Sequence, residues 1–150
     1  MLAAKIVGLV VGILLLQVAI WVPVALWMRK RNARFAAELM AQIAERGERV
    51  VRGPEKGVYR GATDKYGRVQ GNGTAVLTDT RLVFRKVTGG VVDVPLADVK
   101  GVREAKAFLG EITMNLVVIL QTHAGDEVGF VFRYHAAWMD AVRLLVGVAH

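Results

Sequence analysis

Apolar and polar positions follow three different rhythms along the chain. From residue 6 to residue 28 there is no alternation at all, because 23 consecutive positions, Ile6 to Met28, carry no charge. A bilayer core needs about 20 such residues in a helix. A run that is apolar on every side has no polar face to turn to water, which argues against a core helix of a soluble domain. From Asn32 to Val51 a helical period takes over, with Phe35, Leu39, Ile43 and Val50 spaced to share a face and Glu38, Glu45, Arg46 and Glu48 elsewhere. Gly53-Pro54 is expected to end this helix, since proline and the residue before it disfavour helical backbone.

Beyond Pro54 the period drops to two. Short runs rich in β-branched and aromatic residues predict strands at 57–63, 73–77, 81–86, 91–94, 99–107, 115–121 and 127–133. Thr78-Asp79-Thr80, Thr88-Gly89-Gly90 and His123-Ala124-Gly125-Asp126 supply the glycine and Asx residues that tight reversals need. Gaps this short predict consecutive antiparallel strands, a meander. The period changes again over 134–149, where Trp138, Ala141, Val142 and Leu145 recur at helical spacing. The fold class expected is therefore an N-terminal transmembrane helix followed by a mainly-β domain of about seven antiparallel strands, a barrel or sandwich capped by a C-terminal helix. The divisions are a short extracytoplasmic tail at 1–5, a membrane helix at 6–28, a basic amphipathic helix at 29–53 and a β domain at 55–150.

Charge sharpens the membrane reading. The first 54 residues carry eight Lys and Arg against three Glu, and the rest carry twelve against ten. The net charge of +7 thus belongs mostly to the anchor region, and a nearly neutral β domain does not point to nucleic acid. Arg29, Lys30, Arg31 and Arg34 follow the apolar run, whereas only Lys5 and the amino terminus precede it. By the positive-inside rule the C-terminal domain lies in the cytoplasm and the chain is a single-pass protein of the cell membrane. Trp27 abuts the basic cluster, where an indole suits the interface. A cleaved signal peptide competes with this reading. It has an apolar core of about 7–15 residues and a small-residue cleavage site, and neither feature fits 6–28. Gln17, the strongly polar side chain within the run, reads as a tolerated amide before it reads as an interhelical contact.

The chain holds no cysteine, which removes disulfides, thiolate catalysis and cysteine-bound metals. His123, His135 and His150 do not fall at metal-ligand spacing, and no cofactor-binding pattern or nucleophile elbow is present. Asp93 and Asp98 flank Pro95 as turn and strand-end residues. Gly71-Asn72-Gly73 lacks the lysine and following helix of a phosphate loop. A non-catalytic protein without cofactor is expected.

One stretch carries a resemblance. Gly73, Val76, Leu77, Thr78, Arg81, Leu82 and Phe84, followed by Val94, Pro95, Leu96 and Val99 and then by Trp138 in the last helix, resemble pleckstrin-homology-like (PH-like) domains, above all their GRAM and bacterial branches. The similarity spans about 57–149, and the layout of one helix and one such domain resembles a group of actinobacterial membrane proteins. It implies a membrane-tethered interaction module with a protein partner at the inner face, or else a sensor of anionic lipid head groups. An accessory role in a transporter is a weaker implication. In lipid-binding relatives basic residues around the first hairpin hold the ligand. By that likeness Lys65, Arg68, Arg60 and Arg85 are the candidate lipid contacts, although Asp64 sits among them and the dense cationic array of those relatives is missing.

Overall fold

The computed structural model describes residues 1–63 and 66–149, the side chains of 148 and 149 apart. In chain order the elements are α1 (Leu2–Glu45), β1 (Val50–Ala62), β2 (Gly71–Thr78), β3 (Arg81–Lys86), β4 (Val91–Pro95), a 3₁₀ turn (Leu96–Asp98), β5 (Val99–Phe108), β6 (Glu111–Thr122), β7 (Glu127–Phe132) and α2 (His135–Ala149). The chain divides into two compact units, Met1–Arg34 and Phe35–His150.

The first unit is helix from Leu2 onward, and its apolar side chains lie open throughout, Leu9, Leu15 and Trp21 among them. None of its most apolar window is buried, so this is one helix long and apolar enough to cross a membrane, close to the N-terminus. Arg31 stands over the Trp27 ring at 5.2 Å, which places a cation and an aromatic together at the polar end of the apolar run.

The second unit begins inside α1. Leu39 and Ile43 are buried against Val76 of β2 and Val83 of β3, with Met40 and Val50 alongside. The helical period seen over 32–51 is thus satisfied within the domain. Its end is earlier than expected. Gly47, at φ +70°, and Glu48 donate their backbone N–H groups to the carbonyls of Ala44 and Ile43, a Schellman closure that a left-handed glycine permits. The segment 46–53 is therefore not helix, and Gly53-Pro54 is not its stop signal. Both residues lie within β1, where the register slips between Val50 and Arg52 and again between Arg52 and Glu55. Bulges of this kind are where a strand accommodates proline. The domain accordingly starts before residue 55.

All seven strands form one antiparallel sheet in the order β4-β3-β2-β1-β7-β6-β5. Seven strands and a terminal helix agree with the expectation. The simple meander does not, because β1 pairs with β7 and the consecutive β4 and β5 end at opposite edges. The sheet curls into a half-barrel, which decides between barrel and sandwich, and α2 packs against β5 and the 3₁₀ turn. Alternate residues of the strands fill the interior: Tyr59, Leu77, Phe84, Leu120 and Phe130 are fully buried together with Trp138 and Val142 of α2. Aromatic rings run through it, from Tyr59 to Phe130 at 5.5 Å, Phe130 to Phe132 at 5.7 Å, and Phe132 stacked on Trp138 at 4.2 Å.

Candidate functional site

Three constellations lie outside this core. The first is polar and sits at the β2–β3 turn. The Arg81 Nε–H donates to both carboxylate oxygens of Glu48 at 3.0 Å, and another of its N–H groups donates to Asp93 at 2.5 Å. The hydroxyls of Thr78 and Thr80 donate to the same Glu48 oxygen at 2.7 and 2.8 Å. Arg49 and Asp79 exchange two further bonds, from the Arg49 N–H to the Asp79 carboxylate and from the Asp79 N–H to the Arg49 carbonyl. The side chains of Glu48 and Arg81 are only 8% and 10% exposed. Burial alone would raise the Glu48 carboxyl, but the Arg81, Thr78 and Thr80 bonds outweigh it and hold it below its ordinary value. These bonds fasten the end of α1 to the sheet, and the second Asp93 carboxylate oxygen, Oδ1, is buried without a hydrogen-bond partner among the described residues. Asp93 belongs to it, and the Asp98 carbonyl accepts from the His123 N–H.

The second constellation is the set of cations expected to meet a lipid phosphate. Those among them that are described each have a partner within the chain. Arg85 lies on the outer face of β3, donates to Glu38 at 2.9 Å and stands over the Phe35 ring at 4.3 Å. It holds helix to sheet and is not part of the first-hairpin loop. Arg60 pairs with Glu111 at 3.2 Å, and Arg68 donates to the Thr63 carbonyl at 3.2 Å. Lys65 lies outside the described residues. Lys86 joins this end of the sheet, donating to the Val69 carbonyl at 2.8 Å with its ammonium 4.8 Å from the Tyr59 ring centre. The Tyr59 hydroxyl donates to the carbonyls of Tyr66 and Gly67, which ties the loop to the core. Burial pushes the Tyr59 phenol up to about 12.

The third constellation was not foreseen. The β5–β6 hairpin does not continue the curve of the sheet. It folds back across the outer face of β7 and β1. Phe108 packs over Gly129, where an added Cβ would meet the ring at 2.6 Å, and Leu109 packs over Gly61, with 3.1 Å from an added Cβ to its methyl carbon. Gly61 and Gly129 face each other in the β1–β7 register, so this glycine pair makes the seat for the hairpin. Phe108, Val117 and Ile119 bury a small cluster there, and Glu111 reaches both Arg60 and Gln70. The turn is Leu109-Gly110, at φ +51° and +80°. Two positive φ values define a type I′ turn, for which Asn-Gly is the usual signal. Leu-Gly gives no such signal, which is why 108–114 reads as a mere connection in the sequence. The β5–β6 register then slips between Ala105 and Ala107, opposite residues 112–117, and this irregularity turns Ile112 and Met114 outward, 88% and 100% exposed. A shallow groove of about 260 Å³ runs beside them, lined by Val58, Arg60, Val131 and the hairpin itself.

Among the described residues, no three His, Asp or Glu side chains gather as a metal site would require. No protein-family profile matches the sequence, and no curated protein does either. Solved structures are similar in shape. The C-terminal domain of an unknown protein from Leishmania infantum aligns with 73% of this chain and 95% of its own, at a TM-score of 0.52 and 13% identity. At that identity the likeness concerns the fold alone. A looser similarity, at a TM-score of 0.44 and 13% identity, links 67% of this chain to 30% of the linker and DH/PH domains of p115-RhoGEF.

Proposed function

We propose that this chain is a non-catalytic, membrane-tethered PH-like interaction module of a bacterial cell membrane, with its β domain on the cytoplasmic side and another membrane protein as its partner. The observation that carries the reading is the contrast between the two units. One is a bare apolar helix followed by Arg29, Lys30, Arg31 and Arg34, and the other is a β domain built around a closed apolar core. The first has the length and flanking charge of a spanning helix oriented with its C-terminal end inside. The second is a seven-stranded half-barrel with a C-terminal helix, an architecture that supports the PH-like reading, and the residues behind the resemblance have structural roles in it: Thr78 and Arg81 at the β2–β3 turn, Phe84 in the core, and Trp138 on the inner side of α2. Tethering raises the effective concentration of such a module toward other proteins of the same membrane. A dedicated head-group clamp on the first hairpin is not favoured, because Arg60, Arg68 and Arg85 each have an intramolecular acceptor.

The test combines extraction and labelling. Expressed in a bacterial inner membrane, the chain is expected to stay with the pellet at alkaline pH. A Leu144→Cys variant is expected to react with an impermeant maleimide only after the membrane is opened. Release at alkaline pH overturns the anchor, and labelling in intact cells overturns the orientation. Crosslinking from exposed positions of α2 then decides the last part. One protein partner captured in near-stoichiometric yield supports the module reading, and its absence overturns it.

A further inference from the structure

The apolar helix carries one group that hydrocarbon cannot satisfy. Gln17 has eleven residues of the 6–28 run on either side of it. α1 continues without a break from Leu2 through Pro23 to Glu45. At about 1.5 Å per residue the amide therefore stands roughly 16 Å from each end of that run, too far for its side chain to reach water. Spacing in the sequence is compatible with a tolerated amide. The structure adds that the side chain is exposed on the helix surface and that no described residue bonds to it. Among the described residues one helix alone has the length and hydropathy to cross a membrane, so no second span of the same chain can supply the partner. An amide left unpaired in a bilayer is costly, because its donors and its carbonyl have lost their water.

The surroundings of Gln17 have the form of a helix-packing face. Leu14, Val18, Trp21, Val22 and Ala25 enclose with it a shallow hollow of about 420 Å³ on one side of α1. Leu14, Val18, Trp21 and Ala25 follow one another at steps of four, three and four, the spacing along which two helices interlock at a small left-handed crossing. The partner is selected by the amide itself. It is donor and acceptor at once, so across a two-fold axis each copy donates one bond and accepts one. A second copy inserted in the same direction brings its own Gln17 to the same depth without further adjustment. The flanking cations do not forbid this, since Arg29, Lys30, Arg31 and Arg34 lie beyond the run, where salt screens charges over about 8 Å. Gly8 and Gly12, the other pair at a packing interval, point away from Gln17 and carry no polar side chain.

We propose that α1 pairs in parallel with α1 of a second copy, and that the two Gln17 amides exchange N–H···O=C hydrogen bonds at the middle of the bilayer. The pairing rests on the reading of 6–28 as a membrane span and goes beyond it, since it gives the span a second duty besides holding the domain. The dimer presents two β domains on the same side of the membrane, which doubles the sites offered to a partner within reach of one another.

The absence of cysteine makes the test direct, since one introduced thiol reports contact at one position. Leu14 and Leu16 are two residues apart, so they face nearly opposite sides of α1 at almost the same depth. The full chain is reconstituted in phosphatidylcholine vesicles as Leu14→Cys or as Leu16→Cys, over a range of protein-to-lipid ratios, and oxidised with copper phenanthroline. The expected result is a disulfide-linked dimer from Leu14→Cys and little from Leu16→Cys. Adding Gln17→Leu to Leu14→Cys should raise the ratio needed for half-maximal linkage about tenfold, the loss of two interhelical bonds of ordinary strength. Adding Gln17→Asn, which keeps the amide, should leave linkage in place. Linkage that is equal at the two positions, or that responds alike to Gln17→Leu and Gln17→Asn, overturns the amide pairing. Stronger linkage through Leu16→Cys that Gly12→Ile abolishes overturns it in favour of the glycine side. An alkaline wash of the same vesicles separates the two readings. Chain that is retained but never linked overturns the pairing and leaves the span standing, whereas chain that is released overturns the span and the pairing with it.

Discussion

Arg81 lies between two carboxylates, and its partner Glu48 accepts four bonds from three donors in one largely buried position. Replacing Glu48 by Gln leaves the Arg81 guanidinium with Asp93 alone and is expected to cost about 1–3 kcal/mol, read from urea titrations of the full chain in detergent. The pH dependence has a definite sign. Because the folded carboxyl titrates below its ordinary value of 4.5, its contribution is complete above that pH and is lost as pH falls through the lower folded value. The Glu48→Gln variant should lack that part of the acid-side loss. Tyr59 acts at the other end of the scale. Its phenol keeps its proton to about 12, so its share of stability is present below pH 10 and fades as pH rises toward 12. Tyr59→Phe is expected to lose about 1 kcal/mol and the highest step in the tyrosinate absorbance titration, with the β1–β2 loop more open to protease. Thr78 and Arg81 were legible in the sequence as a motif, whereas Glu48 was not, because its role depends on a partner thirty-three positions away.

The packing of whole elements was legible by face and not by neighbour. Phe35, Leu39 and Ile43 read correctly as one side of a helix, but nothing in their spacing says that the side rests on Val76 and Val83. Leu39→Ala is expected to destabilise the domain by about 2–4 kcal/mol, through lost transfer energy and the void left behind. The strands over 81–86 and 127–133 were plain because β-branched and aromatic residues alternate there, while Pro54 misled, since a proline in a strand is the exception that a bulge allows. The glycine seat predicts its own disruption. Gly129→Val drives a branched side chain into the Phe108 ring and should lift the hairpin, at a cost of about 1–3 kcal/mol, with new proteolytic cleavage near Leu109-Gly110 and little change in the ring contacts around Trp138. An outcome in which Gly129→Val stays resistant would mean that the hairpin does not depend on that seat.

At the scale of the molecule, the two units make separable expectations. Removing residues 2–28 should move the chain into the soluble fraction while the unit that starts at Phe35 keeps its urea midpoint, because its buried clusters contain no residue before Leu39. The order β4-β3-β2-β1-β7-β6-β5 has a further meaning for a chain made one residue at a time. As synthesis proceeds, β1 to β4 emerge in sequence and each can zip onto its predecessor. One edge of β1 has no mate until Glu127–Phe132 leaves the ribosome, when most of the protein is already outside the tunnel. An unfinished or clipped product ending before that strand carries a long row of bare backbone donors and acceptors, and two such copies that meet are well placed to stitch those rows together. Quality control of this small protein is therefore a race between the arrival of its penultimate element and the meeting of two incomplete neighbours.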